Sequence, residues 1–254
     1  MTVPAMVGPV VDTLSAQEFQ REILERISDT ELQVIARDVE RKSAALRELC
    51  SGTSRPSDRA TLRQELRWVF ATRRRADRIL DLAGPEALAA AIGGLLGDSD
   101  PVQDRLDRFV ATWENLVPEP APGSCGFELA AELLHFMSPD RYWLWTRWIW
   151  DPDTRTGALA LVTTDDVDLG EGDTTGAMYL TVGRATAFLE ETGKAAGLTT
   201  AGPGLFGVDV LLASVYAVYM YTVLRLRMSR EFNRVIPPLP DLVRRLLGVD
   251  DRES

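Results

Sequence analysis

Residues 127–151 read FELAAELLHFMSPDRYWLWTRWIWD. They contain four of the six tryptophans (Trp143, Trp145, Trp148, Trp150), the sole histidine (His135) and the one cluster of metal-ligand types, Glu128, Glu132 and His135. Residues 127–136 have the pattern of a helix, which Ser138 and Pro139 end or restart. The tryptophan run fits two periods. Tyr142, Trp145, Trp148 and Ile149 suit a helical face, whereas Trp143, Trp145 and Arg147 share one face of a strand. The helical alternative, carried to about Trp150, makes the centre of the chain α-helical and sets the expectation for the rest.

Toward the N-terminus the helical signals continue. Ser15 with Glu18, and Ser28 with Glu31, have the spacing of capping boxes ahead of amphipathic runs. After the Gly/Ser/Pro-rich SGTSRPSD (51–58), the pattern Leu62, Leu66, Val69, Phe70 carries one helical period from about Arg59 to about Leu82. Pro85 and Pro101 sit where a first helical turn tolerates proline, predicting helices over 85–97 and 101–117. PEPAPGSCG (118–126) reads as a linker or long loop between an N-terminal helical region (1–117) and a C-terminal region (127–254), although one continuous domain is equally allowed.

Toward the C-terminus, ALALVTT and AMYLTVG are β-prone runs around the polar DDVDLGEGDTTG, which predicts an antiparallel hairpin over about 158–183. Helices are expected over 184–196, from Val208 to about Arg230 as the centre of this half's core, and in LVRRLLGV before a solvated DDRES tail. The fold class expected is therefore mainly α, a multi-helix bundle with one small β-hairpin.

With 254 residues, 45% of them hydrophobic, the chain is able to bury a core. Its formal charge of -10 repels phosphate backbones at long range, so nucleic-acid binding needs a segregated basic face. Such a face exists locally: residues 55–78 carry eight arginines against Asp58, Glu65 and Asp77, with Arg59, Arg63 and Arg67 recurring every fourth residue and Arg74 and Arg78 continuing the stripe. Two cysteines, Cys50 and Cys125, make neither a disulfide framework nor a zinc site, and no signal-like N-terminus or span-length apolar run is present. A cytoplasmic location with no membrane contact is the expectation.

Glu132 and His135 form Glu-x-x-His with Glu128 one turn earlier, the ligand geometry of carboxylate-bridged di-iron bundles, but a second such motif is ruled out by the single histidine. Gly202, Gly204 and Gly207 spell GxGxxG without a preceding strand, and Pro203 lacks a backbone donor there. Asp165, Asp166, Asp168, Glu171 and Asp173 depart from the EF-hand order and read as a solvated acidic turn or a docking surface. Ser124 and Cys125 lack a nucleophile context, leaving Cys125 as the thiol to test.

ELLHFMSPDRYWLW resembles segments of bacterial helical proteins, some of them similar to helix-hairpin-helix glycosylases; Thr146 stands where those carry an aspartate, and no residue role is carried over. The sequence thus favours a non-catalytic interaction, accessory or assembly protein without cofactor. Its protein partner would meet Trp143, Trp145, Trp148 and Trp150, one or two of them at the surface, together with Arg63, Arg67 and Arg74. The alternatives are a di-iron-like oxidoreductase on Glu128, Glu132 and His135, and a nucleic-acid module on the arginine-rich helix.

Overall fold

The computed structural model describes residues 10–50, 58–97, 99–118, 125–196, 204–227 and 237–250. The mainly helical expectation holds: ten α-helices occupy these residues, α1 (Thr13–Leu24), α2 (Asp29–Cys50), α3 (Arg59–Trp68), α4 (Ala76–Ala83), α5 (Pro85–Leu96), α6 (Val102–Leu116), α7 (Cys125–Met137), α8 (Thr175–Ala196), α9 (Gly207–Arg227) and α10 (Leu239–Leu247). No single helix among the described residues is long and apolar enough to cross a membrane.

The expected hairpin is absent. Among the described residues there is no strand, only two isolated bridges, Val11 to Thr163 and Asp151 to Thr156. The first β-prone run folds into a 3-10 turn at Leu159–Leu161 and then meets the N-terminal segment, where Asp12 N–H donates to Val162 O at 2.9 Å and Thr164 N–H to Val10 O at 3.0 Å. The second run is the opening of α8. Thr174 sits just before it and its hydroxyl accepts the Ala177 N–H at 3.1 Å, a cap that outweighs the β propensity of Thr181 and Val182. The tryptophan run is corrected as well: α7 stops at Met137, because Pro139 has no N–H to continue it, and residues 138–150 are turns and irregular backbone.

The chain divides into two compact units, neither of them contiguous in sequence: the first takes residues up to Ala36, Arg147–Glu171 and Thr181–Asp250, and the second Arg37–Thr146 with Gly172–Leu180. α2 and α8 each contribute to both. Residues 119–124 of the expected linker or loop lie outside the described ones.

In the first unit, α9 packs against α1 and α10. Val210, Leu212, Ala213 and Ser214 are all fully buried, as the apolar character of this helix leads one to expect. α1 opens on Asp12, whose carboxylate accepts the Leu14 and Ser15 N–H groups, so Ser15 lies inside the first turn instead of capping it. α2 starts as its capping box predicts, with Ser28 Oγ accepting the Glu31 N–H at 3.2 Å.

The second unit is built around α7. Every residue from Gly126 to Phe136 is buried, the signature of a helix enclosed on all sides, and α5 and α6 pack on it. Gly126 permits the closest approach: a Cβ there would lie 2.8 Å from the Trp113 ring of α6. Trp145 is enclosed between Phe127 and Tyr179, at ring separations of 4.5 and 6.3 Å.

Candidate functional site

Enclosing α7 completely forces its polar residues into the interior, where each needs a partner. Glu132, 2% exposed, finds Lys42 of α2: Nζ lies 3.1 Å from Oε2 and 4.1 Å above the Phe136 ring centre. The same carboxylate accepts the backbone N–H of Phe70 on both oxygens, at 3.1 and 3.3 Å. Ser43, beside Lys42, donates its hydroxyl to Phe136 O at 2.7 Å, so two side chains of α2 are tied to α7. His135 places Nδ1 2.8 Å from Tyr142 O, which assigns the proton to Nδ1. The Tyr142 hydroxyl in turn accepts from the buried Arg105, whose other nitrogen donates to Leu95 O and Gly97 O at 2.6 and 2.5 Å.

This arrangement bears on the three residues of the Glu-x-x-His helix. Glu128, Glu132 and His135 do share one helix and are all buried, yet no three His, Cys, Asp or Glu side chains among the described residues gather as a metal site. The Lys42 ammonium supplies the positive charge that a cation would have brought to Glu132, and His135 points Nδ1 at a carbonyl.

The tryptophans move inward too. Trp145, Trp148 and Trp150 are buried, and only Trp143 of the four is partly exposed. Trp148 packs near Tyr216 within the first unit, at 6.4 Å. Trp143 instead serves through its backbone, whose carbonyl accepts the Tyr179 hydroxyl at 3.0 Å; burial raises that phenol above its ordinary pKa.

The arginine stripe is where the second unit meets solvent with concentrated charge. It is not one helix: α3 ends at Trp68, residues 69–75 form successive turns, and α4 begins at Ala76. Part of the stripe is internally paired. Arg59 reaches Asp81 at 2.6 Å and Arg63 reaches Asp77 at 2.9 Å. The Arg63 hydrogen bond holds the Asp77 carboxyl below its ordinary value, with the nearby charges of Arg67 and Arg59 adding to the effect. Arg67, Arg74 and Arg75 are exposed, and no described carboxylate lies within ion-pair distance of any of them. Arg75 instead directs a guanidinium nitrogen toward Cys125 Sγ at 3.9 Å, and Arg73 lies 4.7 Å over the Phe70 ring. α4 opens here with no side-chain cap, which adds the partial positive charge of its free N–H groups.

Elsewhere the candidates stay separate. In the acidic segment Arg155 pairs with Asp168 at 2.9 Å, while Asp165, Asp166, Glu171 and Asp173 are exposed. Gly202 and Pro203 of the glycine motif, and Ser124, lie outside the described residues.

Sequence reasoning missed Lys42, Glu65 and Arg105, and the signal for the first two was present. Lys42 stands at the helical spacing of Ile35, Val39 and Leu46, all fully buried, and is one of two lysines among 28 basic residues. Glu65 interrupts Leu62, Leu66 and Val69 in the same way, and it is buried with the Cys50 thiol 3.3 Å from its Oε1. A charged residue on an apolar stripe marks a buried polar contact.

No known family model, curated protein or solved structure matches this chain.

Proposed function

We propose that this protein is a non-catalytic interaction or accessory protein and that its docking surface is the arginine corner between α3 and α4, which receives an acidic surface of a protein partner. The observation that carries this reading is the set of exposed guanidinium groups at Arg67, Arg74 and Arg75, none of them within ion-pair distance of a described carboxylate, in a chain whose net charge is -10. Most of the protein repels anions, and this corner attracts them, so an acidic partner is steered to one place. Planar guanidinium forks suit carboxylates in paired, two-bond geometry. Of the residues expected from the sequence to meet a partner, Arg67 and Arg74 are exposed, Trp143 is partly exposed, Arg63 pairs with Asp77, and Trp145, Trp148 and Trp150 are buried. An acidic protein surface is preferred over nucleic acid because a long polyanion extends beyond the corner into the field of the acidic remainder.

Fluorescence anisotropy of the full-length protein with a labelled short poly-glutamate peptide, no longer than the corner itself, and with a single-stranded oligonucleotide, each at low and high salt, tests this. Poly-glutamate is expected to bind with an affinity that falls as salt rises. Combined Arg67→Glu, Arg74→Glu and Arg75→Glu is expected to weaken it by at least about tenfold, equivalent to ~1.4 kcal/mol. Binding to neither probe, or to the oligonucleotide alone, overturns the proposal, and the latter moves the corner to nucleic-acid recognition.

A further inference from the structure

The break between α3 and α4 contains neither glycine nor proline, and its apolar period runs through Leu62, Leu66, Val69 and Phe70 without interruption. Local sequence therefore favours a continuous helix, and something non-local opens it. The hydrogen bonds identify what does. In a helix running through this point the Phe70 N–H would donate to Leu66 O, four residues back. Here Leu66 O accepts the Thr72 hydroxyl at 2.7 Å, and the Phe70 N–H goes to Glu132 at 3.1 and 3.3 Å. Both halves of one helical bond are satisfied by side chains, and Val69 between them is extended, with ψ at 126°. Lys42 completes the set by neutralising the carboxylate in the interior.

We propose that Glu132, supported by Lys42 and assisted by Thr72, is a positioning residue that holds residues 59–83 in a cornered form against a continuous-helical alternative. That cornered form is what gathers Arg67, Arg74 and Arg75 for an anionic partner. The second statement rests on the function proposed above; the first stands on the hydrogen bonds alone. A buried ion pair contributes little net stability over an apolar pair of similar volume, so retention of one here fits a role in selecting a conformation. The specific service of the carboxylate is to accept a backbone N–H that the break leaves unpaired.

The test compares two double variants of the full chain. Lys42→Met with Glu132→Leu removes the acceptor together with both charges. Lys42→Met with Glu132→Gln removes the charges and keeps an amide oxygen for Phe70. Thr72→Val, close to the same volume, releases Leu66 O and provides a variant that keeps the fold should the leucine variant fail to fold. The Val69 Cα chemical shift reads the corner directly, and poly-glutamate anisotropy reads its use. The leucine and valine variants are expected to move the Val69 shift from its extended position toward the helical one and to lose affinity by about tenfold or more, while the glutamine variant retains both. An unchanged Val69 shift in the leucine variant, or in the valine variant should the leucine variant not fold, overturns the proposal. A moved shift with unchanged affinity upholds Glu132 as the positioning residue and overturns the reading of the corner as the docking surface.

Discussion

Lys42 and Glu132 are each tolerable in the interior only because the other is there. Removing one partner leaves an uncompensated buried charge, so Lys42→Met or Glu132→Leu alone is expected to cost roughly 3–5 kcal/mol in chemical denaturation. The combined variant is expected to recover most of that loss. Equal costs that simply add in the double variant would show that the two residues do not depend on each other. Tyr179 makes a different demand. Its pKa is raised above the ordinary 10.0 chiefly by burial, so the folded state holds the phenolic proton more tightly than the unfolded chain. Its contribution to stability is whole below pH 10.0 and is lost as pH rises toward the higher folded value. Melting temperature measured from pH 8 upward should fall above about 10 in the wild type and fall less steeply in Tyr179→Phe.

Helix ends show which local rules hold. Ser28 caps α2 as the sequence foretold, and Ser28→Ala is expected to cost about 1 kcal/mol by thermal or chemical unfolding. Asp12 and Asp58 cap α1 and α3, and both have lowered pKa values, chiefly through hydrogen bonds from Ser15 and Thr61 respectively. Depressed carboxyl groups stabilise above 3.8 and cease to do so as pH falls through their folded values, so these two helix starts should loosen in acid. At the opening of α8, a Cβ on Gly176 would lie 2.2 Å from Gln103 O of α6, and Gly176→Ala is expected to destabilise by roughly 1–3 kcal/mol despite its better helix propensity.

The same elements show how much was legible. α2, α5, α6 and α9 follow from periodicity, serine caps and proline placement, all of which are local. The hairpin expectation failed because Thr181 and Val182 are β-prone only until Thr174 starts a helix ahead of them. The break in the 59–82 helix is not legible locally, because the acceptor of the Phe70 N–H, Glu132, lies 62 positions away in the chain. Of the candidate site, the arginine stripe was visible as charge spacing, while its bend and its anchor depended on contacts that no short window contains.

Across the described residues the large aromatic rings lie mostly in the interior. Four of the six tryptophans (Trp113, Trp145, Trp148, Trp150) are buried, so emission from the free protein should be mainly blue-shifted and only a minor fraction, from Trp68 and Trp143, open to iodide quenching. Dominant red emission would contradict this burial. Exposed charge is unevenly placed: acids cluster at residues 165–173, in a chain of net charge -10, and arginines between α3 and α4. Neither compact unit corresponds to a single stretch of sequence, so halving the gene anywhere near residue 118 would separate α2 and α6 from α7.

Lys42 and Glu132 are 90 residues apart in the chain. At ribosomal speeds of 5–20 residues per second, α2 therefore emerges on the order of 5–20 seconds before its counter-charge has been synthesised. Throughout that interval an ammonium group destined for the interior must stay in water, and residues 59–83, with no distant acceptor yet made, are at liberty to coil as one rod. The bend is consequently expected to be a late event in biosynthesis, since its acceptor arrives only when α7 clears the exit tunnel.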